Sequence, residues 1–269
     1  MRHVISEQYE YIGMILASLY SGGKDSAFSL YLAEQMGHEV PCIVNIMPED
    51  EASWIFHTPN LGVVPLMAES MGKRLITAPS TGSEEGDMAG LRNALEGLDV
   101  DGVVTGAIWS DYQWDRMNLV CGDLGLKVVS PLWRKDQDMV MDELLASGIR
   151  AIIVGCYAEG LGEEWLGREI DRSAAEELRR IRAKTGISIL GEGGEYESLT
   201  IDSPLYRLPL SIDSSRREWS RGGGTLRVES ASLVPRTGPS DGTSGASACW
   251  RRPRSRTWTS RPPRTSACG

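Results

Sequence analysis

"LYSGGKDSAF", residues 19–28, gathers two glycines, a lysine, an aspartate and two serines into six positions, Ser21 to Ser26. "MILASLY" (14–20) leads into it and "SAFSLYLAEQM" (26–36) leads out. The first run is short, apolar and cut off by Ser-Gly-Gly, as a buried strand is. The second spaces Ala27, Leu30 and Tyr31 at helical intervals and runs to Gly37, a residue suited to a helix end, so a helix is predicted over 25–36. A strand feeding a helix through so small a turn suits an anion. Gly22 and Gly23 carry no Cβ, so their N–H groups can close on a phosphate, and the helix points its positive end at the same spot. Lys24 adds a mobile cation, and Ser21 and Ser26 add hydroxyl donors. Asp25 would repel a phosphate; it fits a Mg²⁺ position or a helix N-cap.

The same alternation continues along the chain. Strands are predicted at 39–47, 74–79, 101–108, 127–132 and 150–157. Helices are predicted at 61–71, 84–97, 111–124 and 136–147, the second with Met88, Leu91, Leu95 and Leu98 along one face. Strands that are apolar throughout and alternate with helices predict an α/β fold with a parallel sheet covered on both faces. Ligands of such sheets bind outside the carboxyl ends of the strands. Polar residues gather there at 21–26, 45–50 and 106–116, which predicts one site built from three loops. After residue 157 the pattern changes. Ser173 and Glu176 read as a capping box opening a helix that Gly186 closes, and 206–212 and 225–234 read as strands. This predicts a smaller α+β portion. The expected division is 14–131 for the ligand-binding domain, 132–234 for the C-terminal portion and 235–269 for a tail, with 1–13 upstream of the fold.

The tail stands apart in composition. Residues 235–269 hold seven arginines and one acid, a net of +6 within a total of −9, leaving the remainder at −15. After Val234 there is no Leu, Ile, Val, Met, Phe or Tyr. Such a segment buries too little apolar surface to offset its ordering entropy and is expected to be disordered or an aberrant, out-of-frame tail. The acidic remainder speaks against stable nucleic-acid binding. No apolar run approaches the roughly 20 residues a membrane span needs, and the first residues lack the apolar centre of a secretory signal. Cys42, Cys121 and Cys156 lie far apart without a CxxC pair, which fits a reducing, cytoplasmic setting.

"SGGKDS" lacks the spacing of a Walker A loop and of GxGxxG; it resembles the PP-loop of the N-type ATP pyrophosphatases. Further stretches narrow the resemblance: "FHTPN" (56–60), "GAIWSDYQWDRM" (106–117), "PLWRKDQ" (131–137), "GLGEEWLGREID" (160–171) and "GEGGEYES" (191–198). Together they resemble the diphthine–ammonia ligase family over about residues 14–234. Trp114 stands where the family pattern carries arginine, and Ser198 where it carries threonine.

The resemblance implies a HUP-like (adenine nucleotide alpha hydrolase-like) fold and an AMP-forming reaction with ATP and Mg²⁺. In that reaction the carboxylate of diphthine on translation elongation factor 2 is adenylated, and ammonium supplies the nitrogen of the amide. Ser21 to Ser26, Asn45, His57, Gly106 and Gln113 are then expected at the nucleotide. Arg116 is expected at the transition-state charge with Lys24 and Asp25, and Asp25 also at the metal. Glu192, Gly193, Gly194, Glu195, Tyr196 and Glu197 are expected at the acceptor, with Trp165 as a wall of its pocket. Among Glu192, Glu195 and Glu197 the choices are holding Mg²⁺, binding the trimethylammonium of diphthine, and placing and deprotonating ammonium, which attacks only as the free base. A homo-oligomer is compatible with the sequence. The rival readings are a tRNA thiolase sharing the loop and a nucleotide-binding regulator without turnover.

Overall fold

A computed structural model of the chain describes residues 13–48, 60–236 and 257–259. The first part alternates as its pattern predicts: β1 (Ile15–Leu19), α1 (Lys24–Gln35), β2 (Glu39–Pro48), α2 (Val64–Met71), β3 (Arg74–Ser80), α3 (Glu84–Leu95), β4 (Gly102–Val104), α4 (Asp111–Asp123) and β5 (Lys127–Val129). The five strands form one parallel sheet in the order β3-β2-β1-β4-β5. Successive residues of β1 face opposite ways. Leu16 packs with Phe28 and Leu30 of α1 and Met67 of α2, whereas Ala17 and Leu19 pack with Leu91 and Leu95 of α3 and Val120 of α4. Pro41 falls where β2 carries one residue more than β1, between the pairs Ile15–Glu39 and Ala17–Cys42. A residue without an N–H is tolerated at such a bulge.

β4 and β5 are shorter than the apolar runs that announce them. Residues 105–108 and 130–132 leave the sheet as loops, although Ile108 and Leu132 stay fully buried. Strand order reverses at β1, so the loops after β1 and β4 part from each other and open a crevice between them.

α5 (Gln137–Ala146) leads to β6 (Arg150–Cys156), then α6 (Arg172–Thr185), β7 (Tyr196–Asp202), β8 (Leu210–Ser220) and β9 (Gly223–Leu233). Here the expectation of a sixth parallel strand is corrected. β6 runs antiparallel to β7 on one side and to the start of β9 on the other, in a second sheet that β8 joins through β9. The core on the α1–α2 face of the first sheet continues without a break into β6, β7 and α6 through Ile153, Leu199 and Leu178. The capping box at Ser173 is corrected too: Asp171 caps α6, accepting from the Ala174 N–H at 2.8 Å, and Gly186 closes it in the left-handed conformation. Within the segment expected to lack structure, Thr257–Thr259 (β10) pairs with Ser230–Ser232 of β9, and Trp258 packs on the core.

Candidate active site

The turn after β1 is shaped by backbone and locked from both sheets. Gly22 has a φ of +86°, which a residue with a side chain rarely adopts. Side chains cap α3, α4, α5 and α6 but not α2, and α1, which begins at Gly23, has no side-chain cap either. The first N–H groups of a helix have no partner within it, so this end is where an anion gains most. β7 reaches the turn from the second sheet: the Lys24 N–H donates to Ser198 Oγ at 3.1 Å and the Thr200 N–H to the Gly22 carbonyl at 2.8 Å. Gly106, after β4, lies so close to the first turn of α1 that a Cβ there would sit 2.8 Å from the Ser26 nitrogen.

Lys24 is not the mobile cation that its place in a glycine turn suggests. It is 2% exposed, and its Nζ donates to Asp25 Oδ2 at 2.7 Å and to the Leu190 carbonyl at 2.5 Å, 5.0 Å from the centre of the Tyr196 ring. Burial pulls the ammonium toward neutrality, but Asp25, Tyr196 and Glu192 outweigh it, so its pKa is raised and the charge is retained. Asp25 is the second residue of the helix and not its N-cap.

A cavity of about 580 Å³ opens in the crevice. Ser21, Asp25, Ser26, Asn45, Gly106 and Gln113 line it from the first sheet and its loops, and Glu192, Gly193, Gly194 and Glu197 from the second part. Residues from all three predicted loops thus meet, although Asn45 also spends its amide on the Tyr20 carbonyl at 2.8 Å. Gly22 and Gly23 shape the turn behind the lining, and Lys24 lies beneath it. His57 falls outside the described residues.

Four expected residues stand elsewhere. Arg116 is one turn beyond Gln113 but turns away from the cavity: it pairs with Glu84 at 2.5 Å and lies 3.2 Å from the centre of the Tyr112 ring. Trp165 is 1% exposed, covered by the Arg168 guanidinium, and is core and not a pocket wall. It is buried because residues 167–170 fold back along β6, with Gly167 donating to the Ile153 carbonyl and Ile170 to that of Ala151. Tyr196 is buried, its hydroxyl donating to the Ile189 carbonyl at 2.7 Å; the cation beside its ring is Lys24. Glu195 holds its own loop together, accepting from the Ser188 N–H at 2.7 Å and the Gly193 N–H at 2.8 Å, and it lines a neighbouring groove that shares Ser110, Glu192 and Gly193 with the cavity.

Glu192 and Glu197 are the carboxylates that face the cavity from the acidic loop. Burial raises both to about 7, with Asp25 adding to the rise and Lys24 opposing it. Glu192 also accepts from the Trp109 N–H at 3.2 Å, tying the acidic loop to the loop after β4. Among the described residues no group of three or more His, Cys, Asp and Glu side chains could hold a metal. A Mg²⁺ that keeps its water and rides on phosphates needs only one or two carboxylates, and Asp25 brings one to the cavity lining, with Oδ2 held by Lys24. Cys156 is fully buried, and its thiol is pushed up to about 12, chiefly by burial. No helix among the described residues is long and apolar enough to cross a membrane.

Asn60, quoted above only as the end of "FHTPN", proves to be a junction. It adopts the left-handed conformation, with a φ of 69°. Its Nδ2 donates to the Leu226 carbonyl at 2.9 Å, and its Oδ1 accepts from the Val228 N–H at 2.7 Å. The side chain thus pairs with β9 as a strand would, between the stretches taken by β6 and β10, and the next residue, Leu61, lines the cavity. The signal for Ser198 was adjacency to the acidic loop; nothing local announced Asn60, whose partners lie 166 and 168 residues away.

A glycine turn feeding a helix at the switch point of a parallel sheet, with a lysine beneath and carboxylates opposite, defines an α/β protein whose cavity has the chemistry to take an anion. Comparison with known proteins makes this specific. A model described as the diphthamide synthase N-terminal domain matches residues 14–128, and one described as the diphthamide synthase C-terminal domain matches 136–234. The diphthine–ammonia ligase of Danio rerio is 35% identical over 226 residues, covering 75% of this chain and 88% of its own. That of Homo sapiens is 32% identical over 225 residues, covering 75% and 84%. The one from Schizosaccharomyces pombe is 34% identical over 214 residues, covering 72% of this chain and 35% of its own. The chain belongs to the diphthamide synthase family and is an enzyme of the ligase class. A solved structure described as a predicted subunit of tRNA methyltransferase from Methanocaldococcus jannaschii overlaps with a TM-score of 0.37 at 12% identity, over 65% of this chain and 90% of that one. That likeness is too slight to carry an argument.

Proposed function

We propose that the enzyme converts diphthine on translation elongation factor 2 to diphthamide, using ATP and ammonium and releasing AMP and pyrophosphate in the cytoplasm. The observation that carries this reading is the single cavity with the glycine turn on one wall and Glu192 and Glu197 on the other. A ligation needs a group to hold the leaving pyrophosphate and another to handle a cationic nucleophile, and a mere sensor does not need both.

The first-turn N–H groups of α1 beyond that of Lys24, which Ser198 holds, and the hydroxyls of Ser21 and Ser26 would take the pyrophosphate end of ATP. Lys24, kept charged beneath the turn, adds positive potential there without moving. Asp25 would share a Mg²⁺ with the phosphates. Asn45 and Gln113 line the wall where the nucleoside would lie. The acceptor carboxylate attacks the α-phosphorus, pyrophosphate leaves, and the acyl adenylate is open to ammonia. Arg116, bound to Glu84, would have to exchange partners to reach the α-phosphoryl group, so the catalytic charge on this reading rests with Lys24. The thiolase reading loses support from Cys156, a buried thiol held far from ionisation.

The test is product analysis with ATP, Mg²⁺, ammonium and elongation factor 2 carrying diphthine. AMP and pyrophosphate that depend on both acceptor and ammonium are expected. ADP, or AMP formed only with tRNA, would overturn the reading.

A further inference from the structure

The three carboxylates of "GEGGEYE" (191–197) are differently engaged. Glu195 spends both oxygens on backbone N–H groups, and Glu192 accepts from Trp109. Glu197 lines the cavity from β7, and neither a hydrogen bond nor an ion pair holds its carboxylate among the described residues. β7 fixes its position, because the main chain of Glu197 is paired with Gly155 of β6. The titratable groups whose fields act on it are Lys24, Asp25 and Glu192, and just after β6 the ring of Tyr157, whose hydroxyl is engaged with Thr225. Ionised together, Asp25, Glu192 and Glu197 exceed the single charge of Lys24, so a small cation entering between them restores balance. Gly193 and Gly194, on the same wall, leave room for it.

Resting on the ligase reading above, we infer that Glu197 is the residue that receives ammonium and takes its proton. Ammonium is almost wholly protonated at neutral pH and has no lone pair to attack with. Glu197 accepts one proton, and the freed nitrogen forms the C–N bond at the acyl carbon of the adenylate. The C–O bond to AMP breaks, and AMP leaves with the electron pair. The second proton is lost from the nitrogen to water, and Glu197 returns its own proton to water through the open cavity. Raised to about 7 by burial first, its carboxylate is far better matched to this exchange than an ordinary one. Glu192 and Glu195 keep the loop in shape.

Hydroxylamine separates this role from a structural one, because it is largely neutral at pH 7 and needs no base to expose its lone pair. In the wild type, acceptor-dependent AMP release with either nucleophile is expected; if neither supports it, the ligase reading fails and this inference with it. In Glu197→Gln, amide formation with ammonium is expected to fall about 10²-fold or more, and hydroxamate formation less than about tenfold. Glu197→Asp, with its carboxylate drawn back, should recover part of the ammonium reaction. Equal losses with both nucleophiles in Glu197→Gln would overturn the assignment, as would an ammonium rate that does not change.

Discussion

Removing the Asn60 side chain tests whether one amide serves as a strand. Leu226 and Val228 are 5% and 3% exposed, so losing the amide leaves a carbonyl and an N–H unpaired in a nearly dry place. An unsatisfied buried group costs about 1–3 kcal/mol, so the pair predicts a loss of about 2–6 kcal/mol for Asn60→Gly. Glycine is the clean substitution because it adopts the left-handed φ of 69° freely. Asn60→Ala loses the same two bonds and adds about 1 kcal/mol for placing a Cβ in that conformation. Asn60→Asp keeps the acceptor for Val228 but sets an oxygen against the Leu226 carbonyl, so it should match glycine or do worse. Urea titration followed by tryptophan fluorescence measures the series. In a chain of this size 3 kcal/mol corresponds to a fall in Tm of roughly 6–12 °C. A glycine variant within about 0.5 kcal/mol of wild type would show that water satisfies those groups and refute the reasoning. Alanine more stable than glycine would refute the conformational part alone.

Two further outcomes follow from the site. Gly106→Ala drives a Cβ against the backbone of Asp25 and Ser26, so the turn must shift; turnover should fall about 10²-fold with the fold intact, and steady-state kinetics beside circular dichroism checks this. Stability should depend on pH through Glu197. Its pKa rises on folding from 4.5 to about 7, so between those values the folded chain holds a proton that the unfolded chain has lost. Stability therefore falls as pH rises through that window, by about 3 kcal/mol for this one group, and levels off above it. Urea midpoints at pH 5 and pH 8 should converge for wild type and Glu197→Gln at the lower pH and favour the variant at the higher. Parallel curves would count against it.

β1 and α1 were legible because the signals for strand, turn and helix agree over one short stretch. The run "RAIIVGC" (150–156) is as apolar as any strand of the first sheet, and burial on both faces says nothing about the direction of a neighbour. Its place in an antiparallel sheet was therefore invisible until β7 and β9 were seen beside it. Asp171 and Ser173 both satisfy the local rule for a helix start, and only the backbone geometry chooses between them. The site divides in the same way. The polar loops at the strand ends were visible in the sequence, and Ser21, Asn45, Gly106 and Gln113 from them line one cavity with Glu192 and Glu197. Lys24 was misread as mobile because the β7 strand, 172 residues on, buries it. Arg116 was expected at the reacting phosphoryl group from the resemblance, which carries no information on its partners here, and Glu84 and Tyr112 claim the guanidinium.

Two bonds, Lys24 to Ser198 and Thr200 to Gly22, reach from β7 to a turn that lies wholly within the first 26 residues. The stretch 14–131, taken by itself, is thus missing the two bonds that hold its glycine turn from outside. Such a fragment would keep the motif and lose the tool. Recombination between relatives meets the same seam: a crossover near residue 132 takes the glycine turn from one parent and the hydroxyl that meets Lys24 from the other. Here that hydroxyl belongs to a serine one step from Glu197, so the residue that holds the glycine turn and the residue assigned to the incoming nitrogen are inherited as neighbours.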